Sequence, residues 1–541
     1  MNIKNFISQR KFIKHNKRIF SEIKNKKKNK KNYNFLIEFN AFHHHHIALS
    51  HVIAFFRENY NCSFFSYPSH ALLNYPIQNN FFKKIKIFIL KIFNLGNYGI
   101  YKSFGITNFI DLKISNKIKN KATVLLKKIK IKDKDDVINL KVNNILIGDL
   151  IYDTYLKKYR IDIPTIDVKS PLFLNFLKEF IELFFLWKEI IIRNKVNSFV
   201  ISHTEYSIGL PARICIFRGG EGFLMEYDRF TKINKKNIYH FSASTHYKKN
   251  FLKFSEIQRK KFFDIGKKNL IQRLRGSIKD IPYMTKSAYA SNKKFNFKST
   301  NYNFKNKKTK ILIATHDFVD APHNNGQFIF PDMVEWIRFL ANLSKKSNYV
   351  WYIKNHPAMN DKWKSYQIYT RQVVNRLIKD SKIILLDSNI SHNKIIKEIK
   401  IDCVLTVWGR IAHEYAFRNV PVINASKNNI HSSFNFNFHA RNINHYIYLI
   451  KNFKKIKKRL NFDEVSKFYF MHYIYSDKNW FFEDFDKFIK EIKGYHNLWS
   501  REVYNQWIKN YHFDFKRKFD TKLDNFINSD SLILSKDEYT F

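Results

Sequence analysis

The sequence predicts an α/β protein built from two units in which strands alternate with helices, each unit forming a parallel sheet. Two observations predict this class. Between Lys310 and Ser426, short β-branched or aromatic runs alternate with longer segments that carry apolar residues at helical spacing. A second alternation of the same kind runs through residues 33–225.

The C-terminal unit contains five predicted strands. Loops rich in His, Asp, Asn and Gly follow several of them, and Met333, Ile337 and Leu340 show the helical spacing between the first strand and the second. Ligands of such sheets bind outside the carboxyl ends of the strands, so we expect the polar side chains of these loops to form a site. The predicted strands are 311–314, 349–353, 383–386, 403–407 and 420–423.

The N-terminal unit begins with a predicted strand, a His-rich loop and a helix, which is how a dinucleotide-binding type of domain starts. Long apolar patterns with interspersed lysines or glutamates indicate further helices at 82–93 and 173–193, besides the first helix at 47–59. The predicted strands are 33–40, 62–65, 144–148, 198–202 and 222–225.

Composition shifts set the expected boundaries. Residues 1–32 are rich in Lys and Asn and predict a frayed basic arm or a short helix, and the polar, non-periodic residues 292–309 predict a linker with a hinge. The N-terminal domain then spans 33–291 and the C-terminal domain 310–459. Residues 460–541 are aromatic with a helical pattern, and we expect them to pack across both domains.

The composition is strongly basic. The chain has 541 residues, with 96 Lys and Arg against 45 Asp and Glu, a formal net charge of +51. Lys, Asn, Ile and Phe are abundant throughout, which is typical of an AT-rich genome and accounts for most of the charge. The remaining charge would suit attraction of anionic donors or adhesion to an anionic membrane surface. We find no zinc spacing, aromatic RNA-binding motif or helix-turn-helix signature that would indicate a nucleic-acid partner.

The cysteines indicate a reducing compartment. Cys62, Cys215 and Cys403 lie in apolar runs without a CxxC pair, as small core residues do. No apolar run of signal-peptide length follows the early basic residues, so we expect a cytoplasmic protein.

The best candidate for a membrane span is the apolar segment 171–192. Charged residues such as Lys178 and Glu182 interrupt it, so it predicts a buried amphipathic helix instead. Binding of the basic arm 1–32 would make the protein peripheral to the inner face of the cell membrane.

Two groups of residues resemble metal ligands. Four consecutive histidines, His43–His46, cannot all face one ion, because ligation needs i, i+4 spacing or ligands from separate elements. The loop 316–323 carries two His and two Asp without further ligands at matched spacing. We therefore expect no metal. One histidine of the run, His43, is expected to reach the cleft between the domains, and the loop is expected to form hydrogen bonds with the donor.

Six segments carry a family resemblance: IKNHP (353–357), WGRIAHEYAFRNVPVI (408–423), HDFVDAPH (316–323), FPDMVEWIRFL (330–340), IGDLIYDTYLKKY (147–159) and SHTEYSIGLPARICIFRGG (202–220). They resemble the GT-B glycosyltransferases of capsule and surface polysaccharide synthesis, which are Kdo-transferase-like. The likeness to bacterial sialyltransferases and CDP-glycerol glycerophosphotransferases is more distant. Over most of residues 33–490, this implies two Rossmann-like domains facing a cleft, with the donor on the C-terminal domain and the acceptor on the N-terminal domain.

The chemistry of sugar transfer and the resemblance together suggest a donor site. The departing phosphate gains charge that hydrogen-bond donors or cations must stabilise. His356, which precedes Pro357, is the expected phosphate ligand or general acid. Gly409 would let backbone N–H groups approach an anion, Arg410 would supply charge where the family often has Ser or Thr, and the resemblance implies that Glu414 binds the ribose. The other expected donor-binding residues are His316, Asp317, Asp320, His323, Lys354 and His413.

An inverting transfer also needs a group that removes the proton of the acceptor hydroxyl. Asp153 and Glu205 are the expected catalytic residues, because both are predicted near strand ends of the N-terminal domain. The expected acceptor-binding residues are His43, Asp149, His203 and Arg213.

The predicted function is transfer of a sugar from a nucleotide-activated donor, of CMP or UDP type, to a surface polysaccharide or glycolipid. No cofactor is expected, and the absence of a DxD pair in a donor loop favours a metal-independent reaction. Two alternatives remain: a transferase of polyol phosphate from a CDP-linked donor, and a non-catalytic protein of polysaccharide assembly or export. Nucleotide binding would favour the enzymes, and the linkage in the product would separate the two enzymes.

Overall fold

The chain folds into two compact α/β units. The computed structural model describes residues 3–21, 29–40, 42–68, 81–159, 161–238, 243–279, 284, 287–290, 307–356, 364–387, 390–510 and 513–539. The first unit consists of Met1–Lys158, Val168–Ile238 and Ser476–Glu538, and the second of Tyr159–Asp167, Tyr239–Tyr475 and Tyr539–Phe541.

The first unit is built on a six-stranded sheet with the order β3-β2-β1-β6-β7-β8. All neighbours are parallel except β7 and β8, and a separate antiparallel hairpin joins β4 to β5. In chain order the strands are β1 Asn29–Phe39, β2 Tyr60–Pro68, β3 Asn108–Phe109, β4 Lys141–Val142, β5 Ile145–Leu146, β6 Ser198–Ile201, β7 Glu221–Met225 and β8 Phe230–Ile233.

Helices surround this sheet and bury aromatic side chains against it. The helix Pro171–Arg193 begins where the Ser170 hydroxyl accepts a hydrogen bond from the backbone N–H of Phe173, and it buries Phe176 and Phe180 at helical spacing. The other helices are Ile3–Ser21, His43–Asn59, Phe81–Ile92, Gly96–Ser103, Asn116–Leu126, Lys134–Ile138, Gly148–Tyr159, Leu210–Phe217, Phe485–Glu491, Arg501–Asn510 and Phe513–Asn528.

The second unit is built on a fully parallel sheet with the order β11-β10-β9-β12-β13-β14. Buried β-branched and leucine residues of β9, β12 and β13 pack in its core. The strands β9 to β13 lie at the five positions predicted between 311 and 423, so that prediction is confirmed. The strands are β9 Lys310–Ala314, β10 Val350–Lys354, β11 Ile383–Leu385, β12 Cys403–Thr406, β13 Val422–Asn424 and β14 Phe438–His439.

Two helices of the second unit, Glu256–Leu274 and Glu464–Tyr473, pack closely against each other. Phe262 of Glu256–Leu274 stacks on Phe470 of Glu464–Tyr473, with ring centroids 4.4 Å apart. Gly266 makes this approach feasible, because a Cβ there would lie 2.1 Å from the carbonyl oxygen of Ser466. The other helices are Tyr247–Lys253, Met333–Lys345, Lys364–Ile378, His392–Lys394 with its π-helical continuation Ile395–Ile399, Ile411–Ala416 and Ile443–Ile456.

The prediction of an α/β protein with two Rossmann-like sheets is confirmed. Both sheets have the doubly wound strand order in which the first strand lies in the middle. The C-terminal residues are divided between the units, because Glu464–Tyr473 belongs to the second unit and Ser476–Glu538 to the first.

The N-terminal segment differs from the predicted basic arm. Residues Ile3–Ser21 form a helix that buries Phe12, Ile13 and Phe20 in the first unit, and Phe12 stacks on Tyr504 at 4.3 Å. Strand β1 already begins at Asn29. Of the two alternatives that the sequence left open, a frayed arm and a short helix, the structure shows the helix, because apolar residues recur on one of its faces.

Three other local predictions need correction. The His-rich segment is not a loop, because the helix begins at His43. Residues 144–148 do not supply a strand to the main sheet, since β5 pairs only with β4. The chain passes from the first unit to the second at Ile238–Tyr239, so the helix Glu256–Leu274 lies in the second unit and not in the predicted N-terminal domain. Most of the predicted linker, 292–306, lies outside the described residues.

Within the described part of the chain, none of the helices is both long and apolar enough to span a membrane. The segment predicted as an amphipathic helix at 171–192 is the helix Pro171–Arg193.

Candidate functional site

The strand order of each sheet defines one place where a ligand is expected. In the second unit β9 lies between β10 and β12, and in the first unit β1 lies between β2 and β6. The connections after β9 and β1 therefore run to one side of their sheets and those after β12 and β6 run to the other, which opens a crevice at the carboxyl ends of the strands. The residues that follow β9, β10 and β12, and those that follow β1 and β6, form the two candidate sites.

In the second unit, His316 bridges the ends of β9 and β12. Its Nε2 lies 3.1 Å from the hydroxyl of Thr406, and that hydroxyl donates its own proton to the carbonyl oxygen of Ala314 at 3.1 Å. The hydroxyl can then only accept from His316, so Nε2 carries the proton and Nδ1 is left as an acceptor. The imidazole also stacks on Trp408, with ring centroids 4.1 Å apart.

Burial keeps His316 uncharged. Burial, with a smaller contribution from the nearby His356, lowers the pKa of His316 to about 3. A neutral imidazole can accept a hydrogen bond from a ligand hydroxyl or amine, but it cannot neutralise a phosphate. His316 therefore fits a sugar or base contact better than a phosphate contact.

Gly409 follows β12 and is required by the position of His316. A Cβ at Gly409 would lie 2.6 Å from Cε1 of His316 and 3.1 Å from the hydroxyl of Thr406. The neighbouring Arg410 is partly exposed, with its guanidinium 5.9 Å from the ring centroid of Tyr473. The helix that follows, Ile411–Ala416, has only six residues, so Arg410 is the stronger source of positive charge here.

Lys354 and His356 lie at the end of β10. Lys354 is buried, and burial lowers its pKa to about 8 against the opposing influence of Asp387. His356 is partly exposed. Burial is the main reason why the pKa of His392 is low, and Lys354 and His356 lower it further. The three side chains therefore share one region at the carboxyl end of β10. Pro357 lies outside the described residues.

Glu414 is already fully engaged. Its Oε1 accepts a hydrogen bond from Nε of Arg273 at 3.2 Å and its Oε2 accepts one from the hydroxyl of Tyr289 at 2.8 Å. Both charged side chains are about 95 % buried. The expectation of a Glu414 free to bind ribose does not fit this arrangement, in which the carboxylate anchors the helix Ile411–Ala416 to other parts of the second unit.

His413 also lies in the interior. Its Nδ1 is 3.2 Å from Nε2 of His431, and its ring packs on Phe468. Burial holds the pKa of His413 well below its usual value, with His431 as the next cause. In this packing the side chain of His413 is not accessible to a donor, so the predicted contact between His413 and the donor does not fit the structure.

Hydrogen bonds within the loop 316–323 and to Pro331 help to hold the loop in place. The carboxylate of Asp317 accepts from the backbone N–H of Val319 at 2.9 Å, and Nε2 of His323 lies 2.9 Å from the carbonyl oxygen of Pro331. Asp320 is exposed. Ala321 has a φ of +47°, a conformation that costs free energy in a non-glycine residue and is often retained near functional sites.

In the first unit, a carboxylate lies at the corresponding switch point. Glu38 in β1 is buried, and its Oε1 accepts hydrogen bonds from the backbone N–H of Ser202 at 2.6 Å and from the side chain of Asn40 at 3.4 Å. Its Oε2 is buried without a hydrogen-bond partner among the described residues. Burial raises the pKa of Glu38, whereas His203 opposes the rise.

Two further carboxylates follow the neighbouring strands. Glu205 follows β6 and its Oε2 accepts from the backbone N–H of Thr204 at 3.1 Å. Glu226 follows β7, and burial raises its pKa to about 7, with contributions of opposite sign from Arg229 and from Glu205. Tyr206, next to Glu205, has a φ of +56°, which is strained for an aromatic residue.

His45 completes this group. It is buried, and neither ring nitrogen has a hydrogen-bond partner in the part of the chain that the structure describes. Burial is the main reason why its pKa lies well below the usual value, and His44 and His203 lower it further. A buried polar side chain without a partner is costly, which is a reason to expect a ligand at this position.

The remaining predicted residues of the first unit have structural contacts. His43 stacks on Tyr504 at 4.4 Å, and its Nδ1 lies 2.8 Å from the carbonyl oxygen of Ser500. Arg213, fully buried, forms two 2.5 Å hydrogen bonds with the carboxylate of Asp149, so this pair is engaged with itself rather than free for an acceptor. Asp153 is buried in the helix Gly148–Tyr159, away from the strand end at which it was predicted.

Sequence reasoning selected His203 and Glu205 but did not select Glu38, His45 and Glu226, which lie near the same strand ends. Glu38 had a detectable signal, because it is the only charged residue in the apolar run 33–40. His45 was set aside with the rest of the His run. Glu226 immediately follows the predicted strand 222–225, so the rule that selected Glu205 would also have selected it.

Within the described ranges, no three His, Cys, Asp or Glu side chains are grouped in a way that could hold a metal ion.

No family model matches the chain and no curated protein matches it, but several solved structures align with it. Three of the solved structures that align with it are a Neisseria meningitidis UDP-GlcNAc 2-epimerase bound to UDP-GlcNAc, S. aureus MnaA in a co-structure with UDP, and a Methanocaldococcus jannaschii UDP-GlcNAc 2-epimerase with UDP-GlcNAc and UDP. Their sequence identities are 8, 10 and 11 %, and their TM-scores are 0.21, 0.25 and 0.24. The alignments cover 81, 86 and 81 % of this chain and 96, 97 and 98 % of those chains. TM-scores this low place no constraint on the fold or the chemistry of this chain.

Proposed function

We propose that this chain is a glycosyltransferase that transfers a sugar from a nucleotide-activated donor, of CMP or UDP type, to a surface polysaccharide or glycolipid. One observation carries the proposal: each of the two Rossmann-like sheets has its own polar group at its switch point. The second unit has imidazoles and a guanidinium there, and the first unit has carboxylates.

The second unit supplies the donor site in this proposal. His356 and Arg410 meet the phosphates, because cations and hydrogen-bond donors stabilise the charge that develops as the sugar leaves. The neutral His316 offers its Nδ1 to a hydroxyl or amine of the donor. Gly409 leaves space beside that ring, since a side chain there would displace it.

The first unit supplies the acceptor site and the base. A general base is most effective when its pKa is close to the working pH, and the pKa of Glu226 is raised to about 7. Glu226 therefore removes the proton of the acceptor hydroxyl, with Glu205 as the neighbouring carboxylate. Glu38, His45 and His203 orient the acceptor through hydrogen bonds. The reaction uses no metal or cofactor in this scheme.

A nucleotide screen tests the donor site. CMP, CDP, UDP and GDP are added separately, and the thermal unfolding midpoint is measured. A nucleotide that binds only the folded state stabilises that state by about 2.7 kcal/mol when its free concentration is 100 times its Kd. We expect one of them to raise the midpoint of the wild type and to raise that of His356→Ala and Arg410→Ala less. If none of the four nucleotides changes the midpoint, the proposal fails.

Turnover with the matching sugar nucleotide tests the reaction. Glu226→Gln should lose turnover and keep the nucleotide-induced shift, because it removes the base and leaves the donor site intact. A product with a polyol phosphate would establish the CDP-linked alternative. The absence of both nucleotide binding and turnover would favour the non-catalytic assembly protein.

A further inference from the structure

The helix Phe81–Ile92 presents an apolar stripe to solvent. Five large side chains at i, i+3, i+4, i+7 and i+8 spacing are 40–63 % exposed. This spacing places the first four on one face of the helix, and the fifth directly follows its end. The side chains are Ile85, Phe88, Ile89, Ile92 and Phe93.

The opposite face of the same helix attaches it to the protein. Ile87 and Leu90 are partly buried against the core of the first unit. The backbone N–H of Leu95 also donates to the carbonyl oxygen of Leu90 at 2.9 Å, which joins the helix to the next one. The helix is therefore apolar on two faces, and only one of them packs against the residues that the structure describes.

The charges along this helix are exclusively positive. Its charged residues are all lysines, and residues 59–110 contain no Asp or Glu. Lys86 and Lys91 occupy helix positions beside the stripe. Lys86 is exposed, whereas Lys91 is joined to Asp111 at 2.8 Å. An apolar stripe flanked by lysine is the pattern of helices that lie in the interface of an anionic bilayer.

We propose that the helix Phe81–Ile92 binds the chain to an anionic phospholipid membrane. Its five exposed apolar side chains enter the boundary between headgroups and acyl chains, and the exposed Lys86 contacts anionic headgroups. The helix lies in the membrane plane, because 12 residues span only about 18 Å, less than the roughly 30 Å thickness of the hydrocarbon core.

This assignment differs from the one expected for residues 1–32. The helix Ile3–Ser21 uses Phe12, Ile13 and Phe20 for packing in the first unit, and its exposed apolar side chains are limited to Ile3 and Ile7. It retains exposed basic residues, so it can add attraction, but it has no stripe that could enter the bilayer. Membrane binding by Phe81–Ile92 is independent of the catalytic roles proposed above.

Vesicle sedimentation of the full-length chain tests the proposal. Vesicles of phosphatidylcholine alone are compared with vesicles that also contain phosphatidylglycerol. We expect binding to the mixed vesicles only, and a fall of roughly tenfold or more in the partition coefficient of Ile85→Ser/Phe88→Ser/Ile89→Ser. Lys86→Glu should weaken binding at low salt and less so at high salt, because salt screens its contribution.

The matched control is Leu172→Ser/Leu174→Ser, which removes two exposed apolar side chains from another helix of the first unit. Its binding should equal that of the wild type, and all variants should keep the wild-type unfolding midpoint, since the changed side chains are exposed. The proposal is overturned if the wild type does not bind mixed vesicles, or if the control loses as much binding as the stripe variant. It is also overturned if analytical ultracentrifugation shows a dimer that the stripe variant dissociates while vesicle binding is unchanged.

Discussion

Arg273 and Glu414 form a buried ion pair within the second unit, with Nε of the arginine 3.2 Å from Oε1 of the glutamate. Arg273 lies in the last turn of the helix Glu256–Leu274, and Glu414 lies in the short helix after β12. The pair therefore holds the helix Glu256–Leu274 at the carboxyl edge of the second sheet. The sequence had placed this helix in the N-terminal domain. Removing one member would leave the other charged and buried without its partner.

Glu414→Ala should therefore act mainly on stability. Breaking a buried ion pair costs about 3–5 kcal/mol, and the hydroxyl of Tyr289 also loses its acceptor. The measurement is the free energy of unfolding in urea. The matched control is Glu335→Ala, which breaks the partly exposed pair with Arg338 in the same unit and should cost about 0–1 kcal/mol. If Glu414→Ala folds as stably as this control and only nucleotide binding falls, the ribose role predicted from the sequence is correct.

Gly409→Ala should weaken donor binding through His316. The new Cβ would lie 2.6 Å from Cε1 of His316, so the imidazole must leave its position between Thr406 and Trp408. We expect a loss of nucleotide affinity, measured by titration calorimetry, together with a small loss of stability. In the His316→Ala background the same substitution should have much less effect, because the clash is absent. Equal effects in both backgrounds would mean that Gly409 acts independently of His316.

The strands of the second unit could be predicted because their evidence is local. The runs at β9, β10 and β12 are mainly β-branched or aromatic, four or five residues long, and mostly buried in a parallel sheet, which leaves a continuous apolar pattern. The position of His316 and Gly409 at neighbouring strand ends follows from the same pattern together with the doubly wound order.

The partners of the charged residues could not be predicted, because they are distant in sequence. Arg273 is 141 positions from Glu414, and Arg213 is 64 positions from Asp149. A sequence shows that a carboxylate lies near a strand end, but it does not show whether that carboxylate forms an ion pair with an arginine from another element. The packing of the N-terminal helix could not be predicted for the same reason, since Phe12 packs on Tyr504 from the far end of the chain.

Glu226 should make stability and turnover depend on pH near neutrality. Its pKa is raised from an ordinary value of 4.5 to about 7, so between these values the folded state keeps a proton that the unfolded chain releases. This group therefore lowers stability as pH rises from about 4.5 through about 7. Turnover should rise over the upper part of this range, because the base must be deprotonated.

The test compares Glu226→Gln with Glu221→Gln, which changes an exposed carboxylate at the start of β7. Unfolding midpoints and turnover are measured between pH 5 and 8. Glu226→Gln should abolish turnover, and its stability should fall less than that of the wild type as the pH rises. Glu221→Gln should reproduce the wild-type dependence of stability and turnover on pH. A wild-type turnover profile in Glu226→Gln would transfer the role of base to Glu205.

His45→Leu should separate stability from function. The imidazole is buried without a hydrogen-bond partner among the described residues, so an apolar side chain should stabilise the fold by about 1–3 kcal/mol. The gain should grow as pH falls below 6.5, because burial holds the pKa of His45 well below that of the unfolded chain. The neighbouring His46→Leu is the control, since His46 bonds to the hydroxyl of Tyr504 at 2.7 Å and to the carbonyl oxygen of Asn40 at 2.9 Å and should destabilise when removed. If His45 binds the acceptor, His45→Leu should raise the KM for the acceptor while the protein becomes more stable; an unchanged KM would make His45 a residue of the core alone.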